Sequence, residues 1–219
     1  QLTKVGEQRV SLDEARAKQD LNQAGVPVPE GGLVDSTETA RALADKLGYP
    51  VVLKALGIAH KTEQNAVRLD LNCAEQVATA AAELFKLSNQ LYLETMKPSL
   101  AELIVGVTRD QQFGLVLTIG SGGVLVELLK DSKTLLMPAT RDEIEAALAG
   151  LKSAPLLAGY RGRPRADTEA TIAAILAIQE YAISQASSLI ELDVNPLLIG
   201  AQGTGVFAAD ALIVLEEQE

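Results

Sequence analysis

Residues Gly48–Glu63 read GYPVVLKALGIAHKTE, and this stretch guides our interpretation of the rest of the chain. An apolar run typical of a β-strand holds one charge, Lys54, and then opens into a polar turn that contains His60, the single histidine of the sequence. Because burying an unpaired ammonium group is costly, Lys54 needs an anionic partner, and a polyphosphate is one candidate. A histidine, which titrates near neutral pH, can accept and pass on a phosphoryl group. Each residue by itself also fits an ordinary structural role.

The composition is that of an ordinary folded protein. With 219 residues, the chain is long enough for one large domain or for two small lobes. It is 47% hydrophobic and 22% charged, which argues against disorder. Lys and Arg number 19 against 29 Asp and Glu, so the net charge is −10 and no basic stripe is available for nucleic acid. A local cationic pocket with a metal ion can still bind a nucleotide in such an acidic chain.

The sequence also bounds the cellular setting. A single cysteine, Cys73, excludes an internal disulfide and a thiolate metal cluster, and it fits a reducing cytosol. No apolar run approaches the roughly 18 residues that a membrane span needs, and no secretory signal opens the chain. We therefore predict a cytoplasmic protein that binds no membrane. Because the first residue is Gln1, we expect a piece of a longer polypeptide, with part of the active site outside it.

Capping residues and β-type runs predict the secondary structure. Helix starts are expected where a capping residue precedes an acidic residue, at Ser11, Asp35, Asn72, Thr140 and Asp167. Apolar β-type runs predict strands at 32–34, 51–55, 67–71, 91–96, 102–108, 115–119, 124–129, 134–137, 189–199 and 206–215. The segment 154–165 is the one long stretch that we predict to be irregular.

The order of these elements predicts an α+β fold with two lobes. Helices and strands are mixed up to about residue 93, whereas a meander of strands, two helices and a final hairpin follow. We place the first lobe at 21–93 and the second at 94–219, with a hinge near 93–96. The helix within 11–24 is expected to pack on the second lobe.

Three segments have the composition of a nucleotide site. The strand 91–96 ends in a polar residue and a turn, where backbone groups can meet a purine edge. Glu102 begins a strand and can hold ribose hydroxyls. Gly120–Gly123 reads as a tight turn with exposed N–H groups suited to anions, although it lacks the Lys and the helix of a Walker A loop. An ordinary strand end, a solvated acid and a plain hairpin turn remain as alternatives.

A metal site is predicted near the end of the chain. The strand Glu191–Leu197 and the segment Ala208–Asp210 are joined by a glycine-containing turn, so Asn195 and Asp210 can face each other across a hairpin. One carboxylate and one amide oxygen, completed by phosphate oxygens and water, suit Mg²⁺. The alternative is a surface hairpin with scattered polar residues, which explains less well why Asp193 and Asn195 interrupt an apolar strand.

In this order, the features resemble an ATP-grasp domain. More narrowly, the chain resembles the β subunit or β-like domain of the NDP-forming acyl-CoA synthetases, which include ADP-forming acetyl-CoA synthetase and succinyl-CoA synthetase. The resemblance covers nearly the whole chain. Its most specific segments are 51–55 with 60–63, 107–114, 120–130, 160–164 and 191–197.

The resemblance implies a fold and a nucleotide site. In that family, two α+β lobes grip ATP or ADP between them. Lys54 matches the phosphate-binding lysine, and Glu94 and Met96 match the hinge that contacts adenine. Glu102 matches the residue that contacts the ribose.

The resemblance also implies a metal and a reaction. Asn195 and Asp210 match the Mg²⁺ ligands, and His60 matches a histidine that acts as the second phosphate carrier in the acetyl-CoA synthetase branch. The first carrier belongs to a CoA-binding partner domain or subunit. The implied ligase interconverts acyl-CoA, ADP and phosphate with a small-molecule acid, CoA and ATP. The identity of the acid and the choice between ADP and GDP are not set by these residues.

Two departures keep other functions open. Gln64-Asn65-Ala66 stand where the family has a pair of glycines, and Leu212 stands where it tends to have arginine. Both changes favour the main alternative, a catalytically impaired domain that senses ligands in a protein acyltransferase. A third possibility is another ATP-grasp ligase, such as a carboxylate–amine ligase, which has no need of His60.

Overall fold

The computed structural model describes residues 9–57, 65–123 and 131–217. The chain divides into two compact units, which we describe separately: a smaller unit, Pro29–Lys97, and a larger unit formed by the segments up to Val28 and from Pro98 onwards. The predicted lobe boundary between 93 and 94 falls inside a strand, Leu91–Thr95, that belongs to the sheet of the smaller unit.

The described helices and strands follow one another as β1 (Arg9–Leu12), α1 (Glu14–Gln23), β2 (Gly31–Val34), α2 (Thr37–Leu47), β3 (Val51–Ala55), β4 (Val67–Leu71), α3 (Ala74–Leu84), β5 (Leu91–Thr95), β6 (Ala101–Asp110), β7 (Gly114–Ser121), β8 (Ser132–Leu136), α4 (Arg141–Ala149), α5 (Ala154–Leu157), a 3₁₀ turn (Tyr160–Gly162), α6 (Thr168–Ser184), β9 (Leu189–Ile199), β10 (Val206–Ala208) and β11 (Ala211–Glu216). This mixture of helices and antiparallel strands confirms the predicted α+β class. The predicted strand 124–129 lies outside the described residues.

In the smaller unit, four antiparallel strands pair in the order β2-β5-β3-β4. Strand side chains alternate between the two faces of a sheet. Val51, Leu53 and Ala55 of β3 lie on the face that contributes to a buried core with α2 and α3. Val52 and Lys54 therefore lie on the opposite face, and both are buried as well. A strand buried on both faces reads as a continuous apolar run, which explains why Lys54 stood out in the sequence.

The larger unit is built on a second antiparallel sheet. Among the described residues its strands run β1-β11-β9-β6-β7-β8, and β10 also pairs with β9. Strand β1 was not predicted, because it has only four residues and most of them are exposed. Its partner is β11, where Leu12 lies opposite Ile213. The predicted strand 206–215 is in fact two strands, β10 and β11, separated at residues 209 and 210.

The 17-residue helix α6 packs on this sheet through buried residues that include Ile172, Ile175 and Ile178. Gln179 is buried too, and its side-chain amide exchanges hydrogen bonds of 2.6 and 3.0 Å with the backbone of Ala139. Within the described ranges, no helix combines the length and the hydropathy that a bilayer crossing requires. The segment predicted to be irregular contains the short helix α5 and the 3₁₀ turn.

Two of the predicted helix starts are confirmed by their caps. Thr140 and Glu143 form the expected capping box of α4, in which each side chain accepts a hydrogen bond from the other residue's backbone amide. Asp167 caps α6 by accepting a hydrogen bond from the amide of Ala170. The cap position of α3 is Cys73, one residue after the predicted Asn72, and it makes no side-chain capping bond.

The predicted caps of α1 and α2 are wrong by one or two residues. Ser11 lies in β1, where it pairs with β11, and Asp13 caps α1 instead. In α2, Ser36 rather than Asp35 is the cap, because Ser36 and Thr39 form the reciprocal capping box. Each segment offers several residues of similar capping tendency, and tertiary pairing selects among them.

Candidate functional site

Lys54 and Glu94 form a buried ion pair in the smaller unit. Lys54 Nζ lies 2.8 Å from Glu94 Oε1, and the side chains are only 7% and 3% exposed. The register explains the contact, because Val52 of β3 lies opposite Glu94 while Lys54 lies opposite Tyr92. Lys54 and Glu94 are thus diagonal neighbours on one face of the sheet, within reach of a long side chain. Both residues are candidates from the sequence, but their contact was not predicted.

The predicted adenine hinge follows directly after Glu94. Met96 is half-buried, and its backbone N–H donates to the carbonyl of Pro50 at 3.0 Å. The N–H of Thr95 donates to the backbone carbonyl of Glu30 at 2.8 Å. Two amides of the predicted hinge are therefore already used within the smaller unit. A purine edge at this segment would have to meet carbonyl oxygens or a later amide.

In the larger unit, Glu102 lies against the glycine segment that follows β7. The amide of Gly122 donates to the Glu102 carbonyl at 2.7 Å. A Cβ atom on Gly122 would lie 2.8–2.9 Å from Glu102 atoms, and one on Gly123 would lie 3.4 Å from Glu102 Oε2. Position 122 thus requires glycine for steric reasons, and Glu102 belongs to the same local cluster as Gly122 and Gly123.

The prediction of a tight anion-binding turn at Gly120–Gly123 is wrong for its first three residues. Strand β7 continues through Ser121, and Gly120 pairs with Ser132 of β8. The amide of Ser121 donates to the carbonyl of Asp131 at 2.9 Å, and Gly122 is engaged as described above. Two amides that we expected to face an anion therefore hold the sheet together. Gly123, with φ of +79°, lies beyond the strand.

Asp131 organises a buried polar cluster that the sequence analysis missed. Its carboxylate accepts hydrogen bonds from the backbone amides of Lys152 and Ser153, at 2.8 and 3.2 Å, and from the Ser121 hydroxyl. Burial alone would raise the pKa of the Asp131 carboxyl, but these hydrogen bonds outweigh it and lower the pKa. Nothing local in the sequence marks this cluster, because its members come from three separate segments.

The two predicted metal ligands lie opposite each other on the terminal hairpin. The backbone N–H of Asn195 donates to the carbonyl of Asp210 at 3.2 Å, at the point where β10 gives way to β11. Asn195 is exposed and Asp210 is half-buried. Asp210 Oδ1 also accepts a hydrogen bond from the amide of Ala211 at 2.9 Å. The expected juxtaposition of the two residues is therefore present in the backbone.

A second acid lies beside this pair. Asp193 is two residues before Asn195 in β9, and its Oδ1 would lie 3.5 Å from a Cβ on Gly106 of β6, so the glycine leaves room for the carboxylate. Burial, together with the charges of Glu191 and Asp210, raises the pKa of the Asp193 carboxyl to about 6. Negative charge is thus concentrated at this face of the sheet, where Leu212 stands opposite Asp193.

This donor set fits a divalent cation that also has ligands from elsewhere. Among the described residues, no three His, Cys, Asp or Glu side chains come together as a complete metal site. Mg²⁺ is a hard ion that keeps several waters and takes phosphate oxygens, so one carboxylate and one amide from the protein are sufficient. The excess of negative charge around Asp193 and Asp210 is the observation that favours a cation here.

Asp167, the cap of α6, holds the turn between β9 and β10 in the same hairpin. Its Oδ2 accepts hydrogen bonds from the amides of Gly203 and Gly205, both at 2.9 Å, in addition to its capping role. The hydrogen bond from Gly205 is the main reason that the pKa of the Asp167 carboxyl is lowered, although burial opposes it. The sequence predicted Asp167 as a cap, but its contacts with the hairpin are long-range and were missed.

The predicted phosphate carrier, His60, lies outside the described residues, as does Gln64. The next two positions are described. Asn65 has φ of 52°, in the left-handed region that glycine adopts most easily, and Ala66 is fully buried. The carbonyl of Ala66 accepts a hydrogen bond from Ala55 at the end of β3. The residues that replace the expected glycine pair are thus partly fixed by the sheet.

Comparison with known proteins identifies the family. The profile of the ATP-grasp domain family matches residues 3–215. The chain is 32% identical over 220 residues to the β subunit of ADP-forming acetate–CoA ligase II of Pyrococcus furiosus, covering 95% of this chain and 93% of that protein. It is also 32% identical to ADP-forming acetate–CoA ligase II of Archaeoglobus fulgidus, covering 95% of this chain but only 31% of that protein.

A solved structure supports the same relationship. Acetyl-coenzyme A synthetase 1 of Candidatus Korarchaeum cryptofilum, in complex with coenzyme A and Mg-AMPPCP, superimposes with a TM-score of 0.82 at 32% identity. The match covers 94% of this chain and 93% of that one. That protein is described with a phosphohistidine segment pointing towards its nucleotide binding site. The predicted resemblance and the predicted ATP-grasp fold are therefore confirmed, and this chain belongs to the ATP-grasp domain family, in the branch of the β subunits of ADP-forming acyl-CoA synthetases.

Proposed function

We propose that the chain is the nucleotide-binding and phosphoryl-transfer domain of an NDP-forming acid–CoA ligase. The ligase would interconvert acyl-CoA, ADP and phosphate with an acid, CoA and ATP. The observation that carries the proposal is the buried Lys54–Glu94 pair in a chain of this family. A cation held inside the sheet of the smaller unit is suited to binding nucleotide phosphate rather than to solubility.

Lys54 would bind phosphate because its ammonium group is fixed before the ligand arrives. Glu94 holds Nζ at 2.8 Å, so little side-chain freedom remains to be lost when an anion binds. In the same proposal, Glu94 and Met96 contribute the segment that contacts adenine, and Glu102 contacts the ribose. Because the amides of Thr95 and Met96 already donate hydrogen bonds within the smaller unit, the purine would contact other backbone groups.

Asn195 and Asp210 would hold Mg²⁺ through one amide oxygen and one carboxylate oxygen. When bound, the ion neutralises charge on the nucleotide phosphates and orients them for transfer. The hairpin residues contribute a fixed backbone, since Asn195 N–H is bonded to the Asp210 carbonyl and Asp167 holds the turn. The pKa of the Asp193 carboxyl is raised, and a cation bound beside it would stabilise the ionised form.

His60 would carry the phosphoryl group between two sites. A neutral imidazole nitrogen of His60 attacks the phosphorus of a phosphorylated carrier in the partner, the bond from that carrier to phosphorus breaks, and a phosphohistidine forms. A β-phosphate oxygen of ADP then attacks the same phosphorus, the P–N bond breaks, and ATP and neutral histidine result. Lys61, the neighbour of His60 in the sequence, would offset the phosphate charge.

A CoA-binding partner completes the reaction. The chain spans nearly the full length of a separate β subunit in one relative but about a third of a longer ligase in another. The same domain therefore works either as a subunit or as part of a fused chain in those proteins. We propose a partner domain or subunit, in cis or in trans, that binds CoA and holds the first phosphate carrier.

Calorimetric titration with Mg·ADP, Mg·GDP and ADP without metal tests the nucleotide site directly. We expect Mg·ADP or Mg·GDP to bind with a dissociation constant in the micromolar range, and we expect EDTA to weaken the binding. Inorganic phosphate alone should bind far more weakly, because it lacks the contacts of the base and ribose. No heat of binding with either diphosphate, from folded protein, would contradict the proposal.

A second candidate function is ligand sensing without turnover. The observations that favour it are Leu212, 39% exposed where arginine is expected, and Ala66, fully buried where glycine is expected. A sensor of this kind would bind Mg·ADP or a related ligand but would form no phosphohistidine. Incubating the assembled enzyme with labelled ATP therefore separates the two functions: stable binding without transfer of label favours the sensor.

A further inference from the structure

Residues Tyr160–Arg165, which we call the arginine loop, place three arginines at alternate positions. Arg161, Arg163 and Arg165 are all exposed. They lie in a chain whose net charge is −10, with 29 acidic residues available for pairing. Neither the nucleotide site nor the metal site described above uses this loop.

The backbone of the loop is held in a defined conformation. Gly159, Arg161 and Gly162 have positive φ values of 89°, 52° and 79°. The Arg165 carbonyl accepts a hydrogen bond from Gln202 at 2.8 Å, in the turn that follows β9. Ala166 continues the contact through a bridge to Ala201. The loop is therefore fastened to the hairpin turn and presents its side chains from a fixed base.

The three guanidinium groups have no ion-pair partner within the described part of the chain. Among the other described arginines, Arg16, Arg68 and Arg141 form ion pairs. Arg161 instead stacks over the Tyr160 ring, 5.2 Å from its centre, which leaves its N–H edges available. Three like charges within five residues repel one another, which opposes folding stability instead of adding to it.

We propose that the arginine loop docks an acidic surface of the CoA-binding domain or subunit, and this inference rests on the proposed function. Guanidinium groups bind carboxylates through paired N–H donors and steer oppositely charged proteins together. Exposed side chains spaced along a loop suit a broad protein surface better than they suit a single phosphate, which is usually held by converging groups.

The loop is separate from the metal ligands. Asn195 precedes the end of β9 by four residues, a span of about 13 Å at the usual rise of a strand, and the loop contacts the turn beyond that end. A change of charge in the loop can therefore weaken docking while leaving the metal ligands in place.

The test uses the assembled ligase, with the CoA-binding domain fused or separate as it occurs naturally. A photoreactive amino acid replaces Pro164, and crosslinks are mapped without CoA and with CoA added. The variant Arg163→Glu/Arg165→Glu reverses the loop charge while leaving Arg161, whose left-handed backbone tolerates few changes. The matched control, Arg41→Glu/Lys86→Glu, makes the same charge change at exposed positions of the smaller unit.

We expect crosslinks to acidic peptides of the CoA-binding domain, and an about tenfold lower yield in the loop variant but not in the control. Mg·ADP affinity should stay within about twofold in both variants, since neither replaces a residue assigned to the nucleotide or to the metal. The proposal would be overturned by crosslinks that lie outside the CoA-binding domain or by crosslinks that persist in the loop variant. It would also be overturned if the crosslinks vanished when CoA is added, because the loop would then bind the CoA phosphates. Loss of Mg·ADP binding in the unmodified enzyme would instead refute the proposed function, whatever the crosslinks show.

Discussion

Replacing Lys54 by methionine removes a buried ammonium group and leaves its carboxylate partner, Glu94, in place. The two groups are 2.8 Å apart and almost fully buried. At an effective dielectric constant of about 20, their attraction is about 6 kcal/mol before the cost of desolvating both charges is subtracted. Because removing one partner leaves the other charge buried without its ion-pair counterpart, we expect Lys54→Met to lower the free energy of unfolding by about 3–5 kcal/mol.

The double variant Lys54→Met/Glu94→Gln separates folding from binding. It removes both charges and keeps the side-chain volumes, so its free energy of unfolding should return to within about 2 kcal/mol of the original protein. Nucleotide binding should not return with it. Losing the charge-assisted hydrogen bond to phosphate should weaken Mg·ADP binding by about 1.5–3 kcal/mol, or about 10- to 150-fold.

Urea unfolding measures the stability of Lys54→Met, of Glu94→Gln and of the double variant, and calorimetry measures Mg·ADP affinity. Lys46→Met, which replaces an exposed lysine of α2, serves as the control and should change neither the free energy of unfolding nor the Mg·ADP affinity. The ion-pair argument fails if the two single effects simply add in the double variant. The phosphate assignment fails if the folded double variant binds Mg·ADP as tightly as the original protein.

Three further perturbations test other parts of the structure. Asp210→Asn or Asn195→Ala should abolish the gain in nucleotide affinity that Mg²⁺ gives while leaving metal-free binding nearly intact; retention of that gain in titrations with and without EDTA would place the ion elsewhere. Asp167→Asn should lower the free energy of unfolding by about 1.5–3 kcal/mol at pH 7, because charge-assisted bonds to the hairpin turn are lost. The pKa of Asp167 is lowered in the folded protein, so the stabilisation that its carboxylate gives is complete above the ordinary value of 3.8 and is lost as the pH falls below it. Urea titrations should show that the difference in unfolding free energy between the original protein and Asp167→Asn shrinks as the pH falls below 3.8. A difference that stays constant with pH would refute the argument. Gly122→Ala forces a Cβ against the backbone of β6 and should lower the free energy of unfolding by about 1–3 kcal/mol in the same assay. In the control Gly32→Ala, the Cβ meets a single atom at 3.4 Å, so the loss should be smaller. Equal losses would contradict the steric argument.

The sequence predicted three strands with the bounds that the structure shows. The predicted ranges 51–55, 67–71 and 189–199 coincide with β3, β4 and β9, because continuous or alternating apolar patterns mark such strands. Strand β1 is short and exposed, so it exists only because β11 offers an edge to pair with. The glycine segment after β7 was read as a turn, yet pairing with β8 extends the strand through Ser121.

The site was predicted residue by residue but not as contacts. Lys54 and Glu94 were each marked by a charge in an apolar run, whereas their pairing depends on the register of β3 with β5, which the sequence does not show. The buried cluster around Asp131 joins three distant segments and had no local pattern to reveal it. The roles assigned to His60, Glu102, Asn195 and Asp210 remain predictions that experiments must decide.

The central claim is that this domain passes a phosphoryl group to ADP through His60. The most direct measurement supplies the complete ligase, with its CoA-binding domain, with acyl-CoA and ³²P-labelled phosphate, and follows label on this domain before and after ADP is added. We predict an acid-labile, base-stable label that moves to ATP, and we predict that His60→Ala removes both the label and ATP formation. ATP formation at the original rate by His60→Ala would contradict the claim.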